Sequence, residues 1–204
     1  LSTSISERFS MSDPTTILRN YLNDLRQSRK TGATVPETSY YGAMKSLFDA
    51  VGGELDQSVF CVINPSNQGA GIPDGALFVD IEPDDIQVDS SGYSRSPERG
   101  VIEAKPTSES IMDTARGDQV ARYLNKYGQV LVTNFYQFVL VTKAANGDKR
   151  ISESYDLAEN EHEFWNSGVQ AIVNKHADGL ILFLQHVMLL PAPISEPKDL
   201  ASAL

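Results

Sequence analysis

Short apolar runs separated by turn-forming residues restrict this chain more than any other feature. Three lie in its middle, at residues 58–63, 76–81 and 100–105, and two more follow at residues 129–133 and 138–142. Each run has the length of a strand and is too short for a buried helix. Amphipathic helical patterns stand on both sides of these runs. The sequence therefore predicts strands enclosed by helices, in an α/β fold or α+β sandwich.

The helical patterns have recognisable ends. Asp13-Pro14 is typical of a helix start, and the apolar spacing that follows predicts a helix to about Arg29. The same spacing predicts helices at residues 36–51, 110–127, 159–165 and 173–190. Gly128 is expected to end the helix at residues 110–127. Asn146-Gly147-Asp148 predicts a hairpin turn into a last strand near residues 151–155.

A chain of 204 residues is expected to form one domain. Residues 13–190 are assigned to it. Residues 1–12 are expected to be disordered or cloning-derived. Met11, within this range, is the candidate natural start. Residues 191–204 are expected to link to a further C-terminal domain. With no membrane-length apolar run and no signal-peptide pattern, a cytoplasmic protein without a membrane partner is expected.

Chemically useful residues are concentrated between Gly71 and Lys105. Asp74 precedes one predicted strand. Glu103 and Lys105 are two apart on another, so they share a face while Ala104 points into the core. Asp74 lies across the sheet from them if the two strands are neighbours. Carboxylates suit Mg²⁺, and a lysine beside the ion can orient or help deprotonate a water, as metal-dependent attack on a phosphodiester requires.

Each of these residues also has an ordinary structural explanation. Asp74 could be a turn or capping residue, and Glu103 could form an ion pair with Lys105 or an arginine. Asp80 could replace Asp74 as a ligand, as could three acids that follow it: Glu82, Asp84 and Asp85. The net charge of −10 argues against a nucleic-acid binder that relies on electrostatics alone, but a metal site needs clustered acids.

Three motifs together resemble the PD-(D/E)xK nuclease superfamily, in the branch that has Gln-x-x-x-Tyr after the catalytic lysine. They are Gly71-Ile72-Pro73-Asp74-Gly75, Glu103-Ala104-Lys105 and Gln119-Val120-Ala121-Arg122-Tyr123. Glu37 resembles the additional acid that many members carry on an earlier helix. The resemblance implies a restriction-endonuclease-like core with a mixed central sheet flanked by helices.

The resemblance also implies a role for each residue. Asp74 and Glu103, with the Ala104 carbonyl, would hold Mg²⁺, for which Mn²⁺ can substitute. Lys105 would position the attacking water, and Glu37 would tune the site or bind a second ion. The remaining residues follow from the third motif: Gln119 would steady the site or contact DNA beside Arg122 and Tyr123.

A closer likeness covers most of the chain. Residues 17–29, 34–41 and 127–134 resemble the N-terminal part of single-chain restriction-modification enzymes of the type IIG and type ISP kinds, which fuse a nuclease to an N6-adenine DNA methyltransferase. DNA is then the partner, and a methyltransferase or target-recognition region follows in the same polypeptide. Two alternatives remain open: a free-standing repair or recombination nuclease, and a catalytically inactive nuclease-like domain that binds or scaffolds.

Overall fold

The computed structural model describes residues 13–32, 36–81 and 95–191. In this part of the chain a short 3-10 helix, Glu37–Tyr40, precedes the second helix. The helices are α1 Pro14–Arg29, α2 Tyr41–Gly52, α3 Ile111–Arg116, α4 Asp118–Tyr127, α5 Glu161–Asn166 and α6 Val169–Leu189. The strands are β1 Val59–Ile63, β2 Gly75–Val79, β3 Val101–Ala104, β4 Gln129–Thr133, β5 Gln137–Lys143 and β6 Lys149–Asp156.

The strands form one mixed sheet in the order β1-β2-β3-β4-β5-β6. Neighbours run antiparallel except for β3 and β4, which are parallel and are joined through α3 and α4. A parallel pair needs such a crossover because the chain must return to the end of the sheet at which the first strand began. The predicted sheet flanked by helices is confirmed.

Alternating side chains of the strands supply two cores. Ile102 and Ala104 of β3 belong to the core that contains α1, α2 and α6, whereas Val101 packs in the second core against α3 and α4. Because neighbouring residues of a strand point to opposite faces, the even and odd positions of β3 serve different cores. Glu103 therefore lies on the α4 face, and Ala104 is buried on the other, as the sequence predicts.

The predicted helix over residues 110–127 is wrong in one respect, because it is two helices that meet at Gly117. The Gly117 backbone is extended, with φ −66° and ψ 166°. At this break the Lys149 ammonium donates to the carbonyls of Arg116 and Gly117, the second of which also accepts from the Ala121 backbone N–H. This partner comes from β6, far along the chain, which explains why local periodicity misses the break. Gly128 ends α4 with a left-handed backbone, as expected.

Several expectations lie outside the described residues. They concern residues 1–12, residues 192–204 and the acids Glu82, Asp84 and Asp85. The domain boundaries stay predictions. In the part of the chain that the structure describes, no helix is long and apolar enough to cross a membrane.

The single cysteine gives a test of the core. Cys61 lies on β1 and is fully buried against the helices of the first core. Burial, followed by the charge of Asp49, raises the pKa of its thiol to about 12. Since thiolate is the reactive form, native protein at about pH 8 is expected to resist a thiol reagent that labels an exposed cysteine quickly. Equal labelling rates with and without denaturant would contradict the buried position.

Candidate active site

Asp74 joins three elements of the fold. It precedes β2, and its backbone carbonyl accepts a hydrogen bond from Asn64 N at 3.0 Å. Its Oδ2 accepts from the backbone N–H of Ala104 on β3 at 2.7 Å. Its Oδ1 accepts from the Tyr41 hydroxyl on α2 at 2.6 Å. Because β2 and β3 are neighbours, Asp74 does lie across the sheet from the Glu103–Lys105 segment.

Glu103 and Lys105 form an ion pair beside Asp74. Lys105 Nζ donates to Glu103 Oε1 at 2.7 Å. The Glu103 side chain is 2% exposed, whereas that of Lys105 is 26% exposed. The Lys105 backbone N–H donates to the Thr133 carbonyl, which continues the β3–β4 ladder past the end of β3. The pair thus stands at the C-terminal end of β3, a central strand, with its lysine toward solvent.

Burial makes ionised Glu103 unfavourable. It is the largest cause that raises the pKa of this carboxyl; the negative charges of Asp74 and Glu37 add to it, and the hydrogen bond from Lys105 opposes it. The sum is a raised pKa, so one lysine does not fully offset the loss of water and the repulsion between acids. A further cation at this place would lower that cost.

Lys105 is held in its charged form. Burial by itself would lower the pKa of the ammonium, but the hydrogen bond and charge of Glu103 outweigh it, with help from Asp74 and Glu109. The net direction is upward. A lysine with a raised pKa is a poor base at neutral pH, so this side chain supplies a fixed positive charge and three N–H donors.

Glu37 lies at the start of the 3-10 helix and is half-buried. Its charge raises the pKa of Glu103 and of the Tyr41 hydroxyl, which places it in the same electrostatic environment. Among residues 13–32, 36–81 and 95–191, however, no three or more histidine, cysteine or acidic side chains are grouped as a ready metal site. The donor set is therefore two carboxylates with adjoining backbone oxygens, a hard set that fits Mg²⁺.

The third motif supports the loop that carries Asp74. Tyr123 is buried, and its hydroxyl donates to the Ile72 carbonyl at 2.9 Å. Gln119 Nε2 in turn donates to the Tyr123 hydroxyl at 3.3 Å. Gly71 has a φ of +109°, and an added Cβ would lie 3.3 Å from Tyr123 Oη. The positive φ and the nearby Tyr123 ring favour glycine at position 71, and the hydrogen bond to Ile72 fixes the chain segment that leads into Asp74.

The two residues predicted to contact DNA have different surroundings. Arg122 is exposed on α4. Tyr123, its neighbour, is 2% exposed, and its hydroxyl donates a hydrogen bond to the Ile72 carbonyl. Both DNA contacts stay predictions.

Asp80 does not compete with Asp74. It follows the far end of β2, where its backbone N–H donates to the Ser58 carbonyl. Asp74 is bonded to Ala104, and six positions along a strand span about 20 Å, so Asp80 lies too far from Glu103 to take the place of Asp74. The other three competing acids lie outside the described residues.

Tyr41 is the residue of this site that the sequence did not assign. It reads as one of the apolar positions of a helix, and it is indeed 7% exposed. The signal that points to it is its spacing from Glu37, since residues four apart share a helix face. Its partner Asp74 lies 33 residues further along the chain, so only the folded structure reveals the contact.

Comparison with known proteins concerns the fold. No family model matches the chain, and no curated protein matches it. Among solved structures it is similar to a chain of a cryo-EM structure of a DrdV–DNA complex, with a TM-score of 0.55 and 16% identity. The likeness covers 87% of this chain and 99% of that chain. Together with the six-stranded mixed sheet, it confirms the α+β, restriction-endonuclease-like fold.

The cost of Glu103 gives a stability prediction. Its folded-state pKa lies above the ordinary value of 4.5, so folded protein holds this proton more tightly than unfolded protein. The stability that the protonated Glu103 carboxyl contributes is fully present below the ordinary pKa and is lost as pH rises through the folded-state pKa. Glu103→Gln is therefore expected to raise the free energy of unfolding at neutral pH without metal, by a margin that grows as pH rises from the ordinary pKa of 4.5 through the raised folded-state pKa.

Urea denaturation in the presence of a chelator measures this margin. Glu159→Gln, at an exposed position, is the matched control and is expected to leave stability unchanged. A Glu103→Gln protein less stable than wild type at neutral pH would mean that the Lys105 pair outweighs the burial cost.

Proposed function

We propose that this chain is a Mg²⁺-dependent DNA endonuclease domain that hydrolyses phosphodiester bonds. The observation that carries this proposal is the hydrogen bond from Ala104 N–H to Asp74, which brings the carboxylate just before β2 beside the Glu103–Lys105 pair at the end of β3. The fold likeness is to a protein solved in complex with DNA, and this supports DNA as the substrate.

The residues divide the work as follows. Asp74 and Glu103, with the Ala104 carbonyl, would hold Mg²⁺, and Mn²⁺ would substitute for it. When bound, the ion would polarise the scissile phosphate and lower the pKa of a bound water. Lys105, held as an ammonium, would orient that water and stabilise negative charge at phosphorus. In-line attack leaves a 5′-phosphate and a 3′-hydroxyl.

The electrostatics of the site support a cation. Glu103 is buried and is repelled by the charges of Asp74 and Glu37, and one lysine does not offset these two effects. Buried carboxylates that lack full pairing are costly to a fold, and a divalent ion removes the cost. Gln119 and Tyr123 contribute by fixing the Ile72 carbonyl and so the position of Asp74.

We further propose that this domain is the cleavage module of a restriction-modification enzyme. The resemblance of residues 34–41 and 127–134 to such enzymes supports this, with a methyltransferase or target-recognition region in the same polypeptide. A net charge of −10 fits a module whose grip on DNA comes mainly from another region.

One observation favours a second candidate, a catalytically inactive nuclease-like domain. The ion pair with Lys105 leaves Glu103 only 2% exposed, which is what a purely structural carboxylate would show. The two candidates differ in whether Mg²⁺ gives the chain a phosphodiesterase activity that depends on Asp74 and Glu103.

Plasmid cleavage with Mg²⁺ or Mn²⁺ separates the candidates. Asp74→Asn keeps one oxygen to accept from Ala104 N–H, and its amide NH2 can donate to the Tyr41 hydroxyl. Glu103→Gln is expected to fold well, so each substitution removes charge with little loss of structure. Each is expected to lower cleavage by roughly 10²-fold or more. Asp80→Asn, at the other end of β2, is the matched control and should cleave like wild type. Equal cleavage by all four proteins would sink the assignment.

The predicted DNA contact of Arg122 has its own test. This exposed arginine follows Gln119 by three positions on α4, so we expect it to meet a phosphate. Arg122→Ala should weaken DNA binding for all sequences alike and reduce the salt slope of log K by about 1. Arg19→Ala, on the opposite side of the sheet, is the control. An unchanged salt slope for Arg122→Ala would exclude the phosphate contact.

A further inference from the structure

Tyr41 places a hydrogen-bond donor at the centre of the acidic site. It begins α2 directly after the 3-10 helix that carries Glu37, and its hydroxyl donates to Asp74 Oδ1 at 2.6 Å. The charges of Asp74, Glu37 and Glu103 all act on this hydroxyl. Within residues 13–32, 36–81 and 95–191, no other tyrosine hydroxyl is seen to donate a hydrogen bond to a carboxylate.

The two donors on Asp74 come from different layers of the fold. Ala104 N–H belongs to the sheet and holds Oδ2, whereas the Tyr41 hydroxyl belongs to the helical layer and holds Oδ1. Two donors on the two oxygens fix the plane of the carboxylate. Each carboxylate oxygen has two lone-pair sites, so both retain capacity for a ligand after one hydrogen bond.

We propose that Tyr41 is a positioning residue for the metal site, and that its hydroxyl sets the orientation in which Asp74 meets a divalent cation. The proposal rests on the proposed function. Tyr41 contacts no reacting atom itself and acts through Asp74. Groups that hydrogen-bond to a metal ligand typically change metal affinity or activity 10–100-fold when they are removed.

The chain offers a matched pair of substitutions for the test. Tyr41→Phe removes only the hydroxyl and keeps the ring in the core. Tyr21→Phe does the same at a tyrosine that is also buried and donates at 2.7 Å, but to the Phe135 carbonyl, away from the acids. Both variants lose one buried hydrogen bond, so both are expected to lose stability to a similar degree. Only one of them touches a proposed metal ligand.

Mn²⁺ binding to the whole chain is the direct readout, measured by electron paramagnetic resonance titration without DNA. Tyr41→Phe is expected to bind Mn²⁺ about 10–100-fold more weakly than wild type, while Tyr21→Phe binds like wild type. In cleavage assays the Mg²⁺ concentration needed for half-maximal rate should rise for Tyr41→Phe, with the KM for DNA unchanged.

The outcomes distinguish the two proposals. If wild type and Tyr41→Phe bind Mn²⁺ equally, the role of Tyr41 is overturned and the nuclease proposal stands. If Tyr21→Phe weakens binding as much as Tyr41→Phe, the effect is a general loss of structure and the role is again overturned. If wild type binds no Mn²⁺ and cuts no DNA, both proposals fall together.

Discussion

The Asp74 carboxylate is the contact on which the site depends. One oxygen is bonded to the Ala104 backbone on β3, the other to Tyr41 on α2, and the residue itself leads into β2. A hydrogen bond to a charged acceptor is stronger than one between neutral groups, so these two contacts hold the start of β2, the end of β3 and α2 together firmly. The same contacts bring Asp74 to Glu103 and Lys105.

This arrangement places charge where burial is unfavourable. The raised pKa of Glu103 means that ionising this buried carboxyl, near other negative charges, is less favourable in the folded protein than in water. The raised pKa of Lys105 shows that the lysine gains from the same arrangement, although burial opposes it. An ion pair whose members shift in this way is a poor stabiliser and a good place for an added cation, which is the physical basis of the proposed metal chemistry.

Local pattern was enough to predict much of the fold. Alternation in the apolar runs predicted β3 with Ala104 in the core, and Gly128 predicted the end of α4. The same pattern misses the break at Gly117, because Lys149, which donates to the Gly117 carbonyl, lies 32 residues away. The role of Tyr41 was missed for the same reason, since an apolar position in a helix pattern carries no sign of a distant hydroxyl partner. Long-range polar contacts need the tertiary structure.

Anomalous diffraction from crystals grown with Mn²⁺ would show whether Asp74 and Glu103 bind one divalent ion. We expect one strong peak coordinated by both carboxylates, beside the Ala104 carbonyl, and no such peak in the Asp74→Asn variant. A map without a peak at this place, in which Glu103 contacts only Lys105, would contradict the account and leave an inactive nuclease-like fold in its place.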